Sequence, residues 1–260
     1  MPQSIYLDRI RDFYLAAPGV SLYGDHSGDA GGLSWQLSAL RPEVNDKELE
    51  LVFMLLDRLG RFEGKTSWLG QVSLDSADGR WRAGFSMGEF RMDYRPGGPL
   101  GPNPFTQDLA PGNHRLPTWV VSLEHNSEDW SLTAEYSETT IKARNYGPFI
   151  NFEDNTTQAW YVQATRRLPA GWQAYLRYDA LYLDKDDKNG SSFGKPLGLP
   201  DYSRYARDWV LGVRRDVGDL ALFAEIHHVD GTAWLAQVDN PAAGMARKWN
   251  MLLMQAAWRF

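Results

Sequence analysis

Segments in which apolar and polar residues strictly alternate are joined along this chain by connections of two lengths, and short and long connections take turns without exception. The alternating segments lie at 19–26, 32–40, 66–75, 80–94, 117–126, 129–143, 158–168, 171–183, 207–216, 219–230 and 249–260. The short links are HSGDAG (26–31), DSADG (75–79), HNSED (125–129), RLPAG (167–171) and DVGD (216–219), all built from turn-forming residues. The long ones are 41–65, 95–116, 144–157, 184–206 and 231–248. Period-two alternation predicts strands, and helical periodicity is convincing only over 46–59. A soluble sandwich or propeller has no reason to alternate its loop lengths. A transmembrane up-and-down antiparallel β-barrel does, with tight turns on one side of the membrane and long loops on the other. The fold expectation is therefore all-β, with 19–260 supplying eleven strands of a single domain spanning 1–260.

The two faces of these segments agree with that expectation. One face reads Leu33, Trp35, Leu37, Ala39; Trp68, Gly70, Val72, Leu74; Trp119, Val121, Leu123; Trp130, Leu132, Ala134, Tyr136, and continues in the same manner through Trp160, Leu176, Trp209, Leu211 and Ile226. The other carries Ser34, Gln36, Gln71, Ser73, Glu124, Thr133, Gln163 and Gln173 together with charged residues. Alternation alone does not say which face is inside. Ring placement decides: Trp81, Trp130 and Trp172 follow short turns, while Tyr136, Tyr178 and Tyr182 lie further along the same strands. That spacing matches two aromatic girdles bordering an apolar band about 25 Å tall, so the greasy face is expected to meet lipid.

Composition narrows the classes. The formal charge of −6 argues against a nucleic-acid partner. The longest purely apolar run, Leu51 to Leu56, is far too short for a membrane-spanning helix. There is no cysteine, hence no disulfide and no thiolate chemistry. The first residues, MPQSIYLDRI, lack a basic segment followed by an apolar one, so no signal peptide is visible.

The chain closes on MQAAWRF, with outward Leu252, Met254, Ala256, Trp258 and terminal Phe260. This ending resembles the C-terminal signal of bacterial outer-membrane β-barrels, and the resemblance implies that Trp258 and Phe260 are read by the barrel-assembly machinery. Eleven strands is an odd number, whereas closed bacterial barrels have an even one. The expectation is that the chain represents the C-terminal part of a barrel of about sixteen strands, the size of a water-filled pore. A twelve-stranded barrel with one strand hidden in 1–14 is the competing count. PQSIYLDRIRDF followed by SLYGDH resembles the corresponding segment of Gram-negative porins of the phosphate-selective O/P type. That likeness implies a bacterial outer-membrane location, contact with outer-membrane lipid, small hydrophilic or ionic solutes as cargo, no cofactor and no reaction, and it leaves homotrimer formation open. It also implies that residues 1–18 form a loop folded into the lumen as a constriction.

Charge at the narrow part of a lumen sets what passes. Glu135, Arg177, Asp179 and Glu225 fall on the polar face at mid-height, and Arg82, Arg167, Arg214 and Arg259 near the short-turn rim. Asp8, Arg9, Arg11 and Asp12 would sit on the constriction loop, either as a transverse field across the lumen or paired with one another to fix the loop. Other constellations are weaker. GFSMG (84–88) fits the serine-hydrolase pattern and makes Ser86 a candidate nucleophile, the basis of an alternative reading as a barrel hydrolase; that motif needs a strand, a sharp turn and a helix, and here it sits inside a long alternating segment. His227 and His228 point to opposite faces and cannot chelate one metal together. GGPLGPNP (97–104) lacks the lysine and helix of a phosphate-binding loop. Residues 46–64 are expected to form an amphipathic helix with Leu49, Phe53, Leu56 and Leu59 on one side. A soluble or surface β-domain that binds a ligand through its loops is the third reading.

Overall fold

Alternating side chains commit a segment to a pleated strand, and short turn-rich links commit neighbouring strands to antiparallel pairing. The computed structural model, which describes residues 5, 17–44, 49–50, 60–97, 110–147, 154–194, 199–235 and 244–259, shows both consequences. Its strands are β1 (Gly19–Gly28), β2 (Gly31–Leu40), β3 (Arg61–Ser76), β4 (Trp81–Arg95), β5 (Gly112–Asn126), β6 (Trp130–Arg144), β7 (Asn155–Leu168), β8 (Trp172–Tyr182), β9 (Tyr205–Val217), β10 (Leu220–Gly231) and β11 (Lys248–Trp258). They form one 11-stranded sheet in simple sequential order, each strand antiparallel to the next, with β1 and β11 at its edges. All eleven strands expected from the sequence are present, and the sheet is up-and-down throughout.

The short turns are locally determined. Between β3 and β4, the Ser76 hydroxyl donates to Asp78 Oδ1 at 2.5 Å and accepts the Trp81 amide at 2.9 Å, while Gly79 adopts a φ of 66°. The Ser76 hydroxyl and then the Arg80 amide hold the Asp78 carboxyl below the usual aspartate range.

The apolar face looks outward. Trp35 is 40% exposed and Leu211 57%, and Leu37, Leu74, Val121, Leu132, Val162, Leu176 and Ile226 are likewise uncovered. They line up in register across the sheet, as in the row Trp35, Val72, Phe85, Val121, Tyr136 and Trp160. Trp81, Trp130, Trp172 and Trp258 edge the band at the short-turn end. At the other end Trp119 stacks on Tyr136 at 5.2 Å, and Tyr178 lies 5.3 Å from Trp160 and 4.8 Å from Trp209. Tyr182 shares the face of that girdle and is buried with Ala180 and Tyr205 against Trp160 and Tyr178. The 11 residues of β8 cross about 26 Å at a rise of about 3.4 Å per residue and a tilt of about 40°, the height of the band.

Two strands start earlier than the alternation suggests. A bulge between Lys65 and Trp68 shifts the register of β3, so its residues beyond the bulge fall out of phase with the rest. Pro117 has no N–H to donate, and the ladder from β5 to β6 skips from Arg115 to Thr118. Past these points the faces exchange character. Phe62, Phe90, Met92, Tyr94, Leu116 and Ala143 turn inward and bury one another together with Leu49 and Tyr146, while the outward positions become charged. The helix expected over 46–64 is corrected at its end: Leu49 and Glu50 are helical, but Arg61 to Gly64 are strand, because pairing with β4 carries Phe62 into this cluster. Phe53, Leu56 and Leu59 lie outside the described residues.

A charge on the exposed apolar face should be poorly tolerated. Leu211→Arg is expected to weaken folding into phospholipid vesicles by about 2–4 kcal/mol, and Gln163→Arg on the opposite face to have a much smaller effect, both read from denaturant titrations in vesicles.

Candidate functional site

Cross-strand register gathers the charged side chains of the inward face. One row runs Thr133, Gln163, Arg177, Val210 and His227 across β6 to β10; the row above it runs Glu135, Tyr161, Asp179, Asp208 and Val229. The row below holds Thr165, Tyr175, Gly212 and Glu225. Val210 and Val229 are fully buried, and among them sit Arg177 at 4% exposure, and Asp179, Asp208 and His227 at 1% each.

His227 is the pivot. Its Nδ1 lies 2.6 Å from Asp208 Oδ2 and its Nε2 3.1 Å from Glu225 Oε2. An acceptor oxygen thus faces each ring nitrogen, which suits a ring that can donate at both. The Tyr175 hydroxyl donates to the other oxygen of Glu225. Arg177 Nη1 donates to Gln163 Oε1 at 3.3 Å and stands 3.9 Å from Glu225 Oε1, and its Nε is 3.7 Å from Asp179 Oδ2. Three carboxylates thus interlock with one guanidinium and one imidazole on a single face. The Glu225 side chain is 20% exposed and is the most open of the charged members.

A glycine makes the arrangement fit. Gly212 stands between Tyr175 and Glu225 in register, and the tyrosine ring lies across it to reach the carboxylate. A Cβ at Gly212 would come 2.0 Å from Tyr175 Cζ.

Of the positions picked out from sequence, Arg177, Asp179 and Glu225 meet in this cluster, and Glu135 shares the row of Asp179 two strands away. Arg82, Arg167 and Arg214 are engaged locally near the short-turn end. Arg82 Nε pairs with Asp75 at 2.7 Å. Arg167 clamps the β5–β6 turn through Ser127 O at 2.6 Å and Asn126 Oδ1 at 2.5 Å. Arg214 holds Asp216 and covers the Phe223 ring. Arg259 follows β11 at the same end, its amide bonded to Asp219 O, and Trp258 is exposed opposite Leu220. Asp8, Arg9, Arg11, Asp12 and Phe260 lie outside the described residues. Tyr175 and Asp208 are new to the constellation, and His227, set aside above as a metal ligand, joins it as a partner of the carboxylates. Their parity was visible, Glu225 and His227 being two apart on one strand, but the partner Asp208, one row and one strand away, depends on register.

Ser86 lies in the middle of β4, with Gln71 and Val120 opposite it on the flanking strands, so the sharp turn of a nucleophile elbow is not formed there. Among the described residues no group of three or more His, Asp or Glu is placed to hold a metal ion; the imidazole occupies the space between the carboxylates.

No protein-family model matches the sequence, and no curated protein matches it. Among solved structures the chain is similar to the outer membrane channel DcaP of Acinetobacter baumannii, with a TM-score of 0.60 and 13% identity over 94% of this chain. The chain spans 62% of the length of that channel. At this identity the likeness is one of fold.

Gly212→Ala should push the Tyr175 ring off Glu225 and destabilise the protein by about 1–3 kcal/mol. In that background Tyr175→Phe should cost nothing more, whereas in the unaltered chain it should cost about 0.5–1.5 kcal/mol. A double-mutant cycle on unfolding midpoints reads the difference.

Proposed function

We propose that the chain is the greater part of an outer-membrane diffusion channel for small hydrophilic or ionic solutes. The observation that carries this reading is sidedness: an uncovered apolar band bordered by aromatic rings on one face, and an interlocked charged cluster on the other. A soluble barrel would reverse those faces. The shared fold with an outer membrane channel supports the same reading. Backbone groups along the edges of β1 and β11 need partners in a bilayer, so barrel closure, by further strands or by the edges themselves, belongs to the proposal.

In this channel the polar face of β6 to β10 forms the selective wall. Glu135, Arg177, Asp179 and Glu225 contribute the fixed charges foreseen from sequence, and Asp208 and His227 complete them. Arg82, Arg167, Arg214 and Arg259 line the periplasmic mouth, residues 1–18 with Asp8, Arg9, Arg11 and Asp12 form the constriction loop, and Trp258 with Phe260 is the assembly signal. Outer-membrane lipid surrounds the band. Both signs of charge in the wall favour a general diffusion pore over an anion-specific one of the O/P type. Hydrogen bonds from His227 to Asp208 and Glu225, and ion pairs of Arg177 with Asp179 and Glu225, hold the wall charges in place, so a passing solute meets a standing field and not mobile side chains.

The test is conductance of the full chain in planar bilayers. Glu225→Gln is expected to shift the reversal potential under a KCl gradient toward anions while leaving the conductance within about twofold, and Ser86→Ala is expected to change neither. A preparation that stays monodisperse without detergent and forms no conducting events would refute the channel.

A further inference from the structure

The outward face changes beyond the long-loop girdle. After the row Trp68, Glu89 and Pro117, the next outward row runs Lys65, Arg91, Arg115 and Lys142 on β3, β4, β5 and β6, each residue directly opposite the next. Four basic side chains in a cross-strand row repel one another, and they do so in a chain whose overall charge is −6. Carboxylates offset half of the row. Lys65 pairs with Glu63 at 3.0 Å and Asp93 at 3.2 Å, and Arg91 pairs with Glu89.

The other half is unmatched. Arg115 is exposed and Lys142 partly so, and among the described residues neither has a carboxylate within ion-pair distance. The neighbouring charges are committed elsewhere: Arg144 pairs with Asp154 at 2.5 Å, and Glu138 with Lys185 at 3.1 Å. Further out, Arg61 and Arg95 face each other, which adds positive potential. The row lies two residues beyond Glu89 on β4, hence about 5 Å further along the membrane normal than the Trp68 level at the strand rise and tilt used above. That is where the apolar band gives way to lipid headgroups.

We propose that this row binds the phosphate groups of anionic lipid in the leaflet on the long-loop side. The inference rests on the membrane reading of the preceding subsection. Charge complementarity selects the occupant: phosphate oxygens accept from the Arg115 guanidinium in a fork and from the Lys142 ammonium as a point charge, and they relieve the repulsion along the row. A lipid supplies that phosphate at the right height and on the outward face, with its acyl chains lying along Trp68, Met87 and Trp119.

The experiment uses the full chain refolded in detergent, with diphosphorylated lipid A and its dephosphorylated counterpart as probes, and counts bound lipid by native mass spectrometry. Lipid A should bind and the dephosphorylated form should not. Arg115→Gln/Lys142→Gln should bind lipid A about tenfold more weakly, Lys142→Gln alone about threefold, and Arg80→Gln in the β3–β4 turn should bind as the parent does. The double variant removes repulsion from exposed positions, so it should fold at least as well, and its conductance is measured in the same preparation. Equal binding of both lipids, or unchanged binding by the double variant, in a chain that conducts overturns this inference and leaves the channel intact. A chain that neither needs detergent nor conducts overturns both. Full displacement of lipid A by inorganic phosphate at equal concentration assigns the row to free phosphate, and a change in subunit association without a change in lipid binding assigns it to a second copy; either result overturns the lipid site.

Discussion

On the membrane reading proposed above, a peptide N–H that faces hydrocarbon has no water to bond, so each inner strand of this sheet must satisfy its backbone on both neighbours across the whole apolar band. That requirement makes register rigid. A slip by one residue would turn Leu211 and Trp209 inward and carry Val210 and the charged Asp208 onto the exposed apolar face. The cost of that exchange holds the faces apart, and every other feature of the molecule is arranged on the register it protects.

The inward cluster is one consequence. Tyr175, Arg177 and Asp179 on β8, Asp208 on β9, and Glu225 and His227 on β10 are brought together across strands by ladder pairings. Each charge then has a partner two residues, one strand or two strands away, through His227 between Asp208 and Glu225 and Arg177 beside Asp179 and Glu225. Buried charges without such partners would be costly. Gly212 shows how tight the fit is, since the Tyr175 ring lies where any side chain at that position would be.

The rim on the long-loop side obeys the opposite rule. Beyond the bulge at Lys65 and the break at Pro117, apolar side chains face inward around Tyr94 and Tyr146, and Lys65, Arg91, Arg115 and Lys142 face outward. On the membrane reading proposed above, the strands leave the hydrocarbon there and enter an aqueous or headgroup environment, where the usual soluble arrangement is the favourable one. The inversion fixes the level of the boundary on β3 to β6 as firmly as the girdle of Trp119 and Tyr136 does.

The eleven strands, their order, the outward set from Leu33 to Ile226 and the inward placing of Arg177, Asp179 and Glu225 were legible in the chain itself, because period two and loop length are local properties. The early starts of β3 and β5 were not, since a bulge shifts the phase of the alternation on β3 and the outward positions of β5 before Pro117 turn from apolar to charged. Nor could the pairing of His227 with Asp208, or the basic row on β3 to β6, be read in advance. These depend on which residues stand opposite one another, and that is decided only when hydrogen bonds between strands distant in sequence set the register. Alternation determines which face a side chain takes; the ladder determines its neighbours.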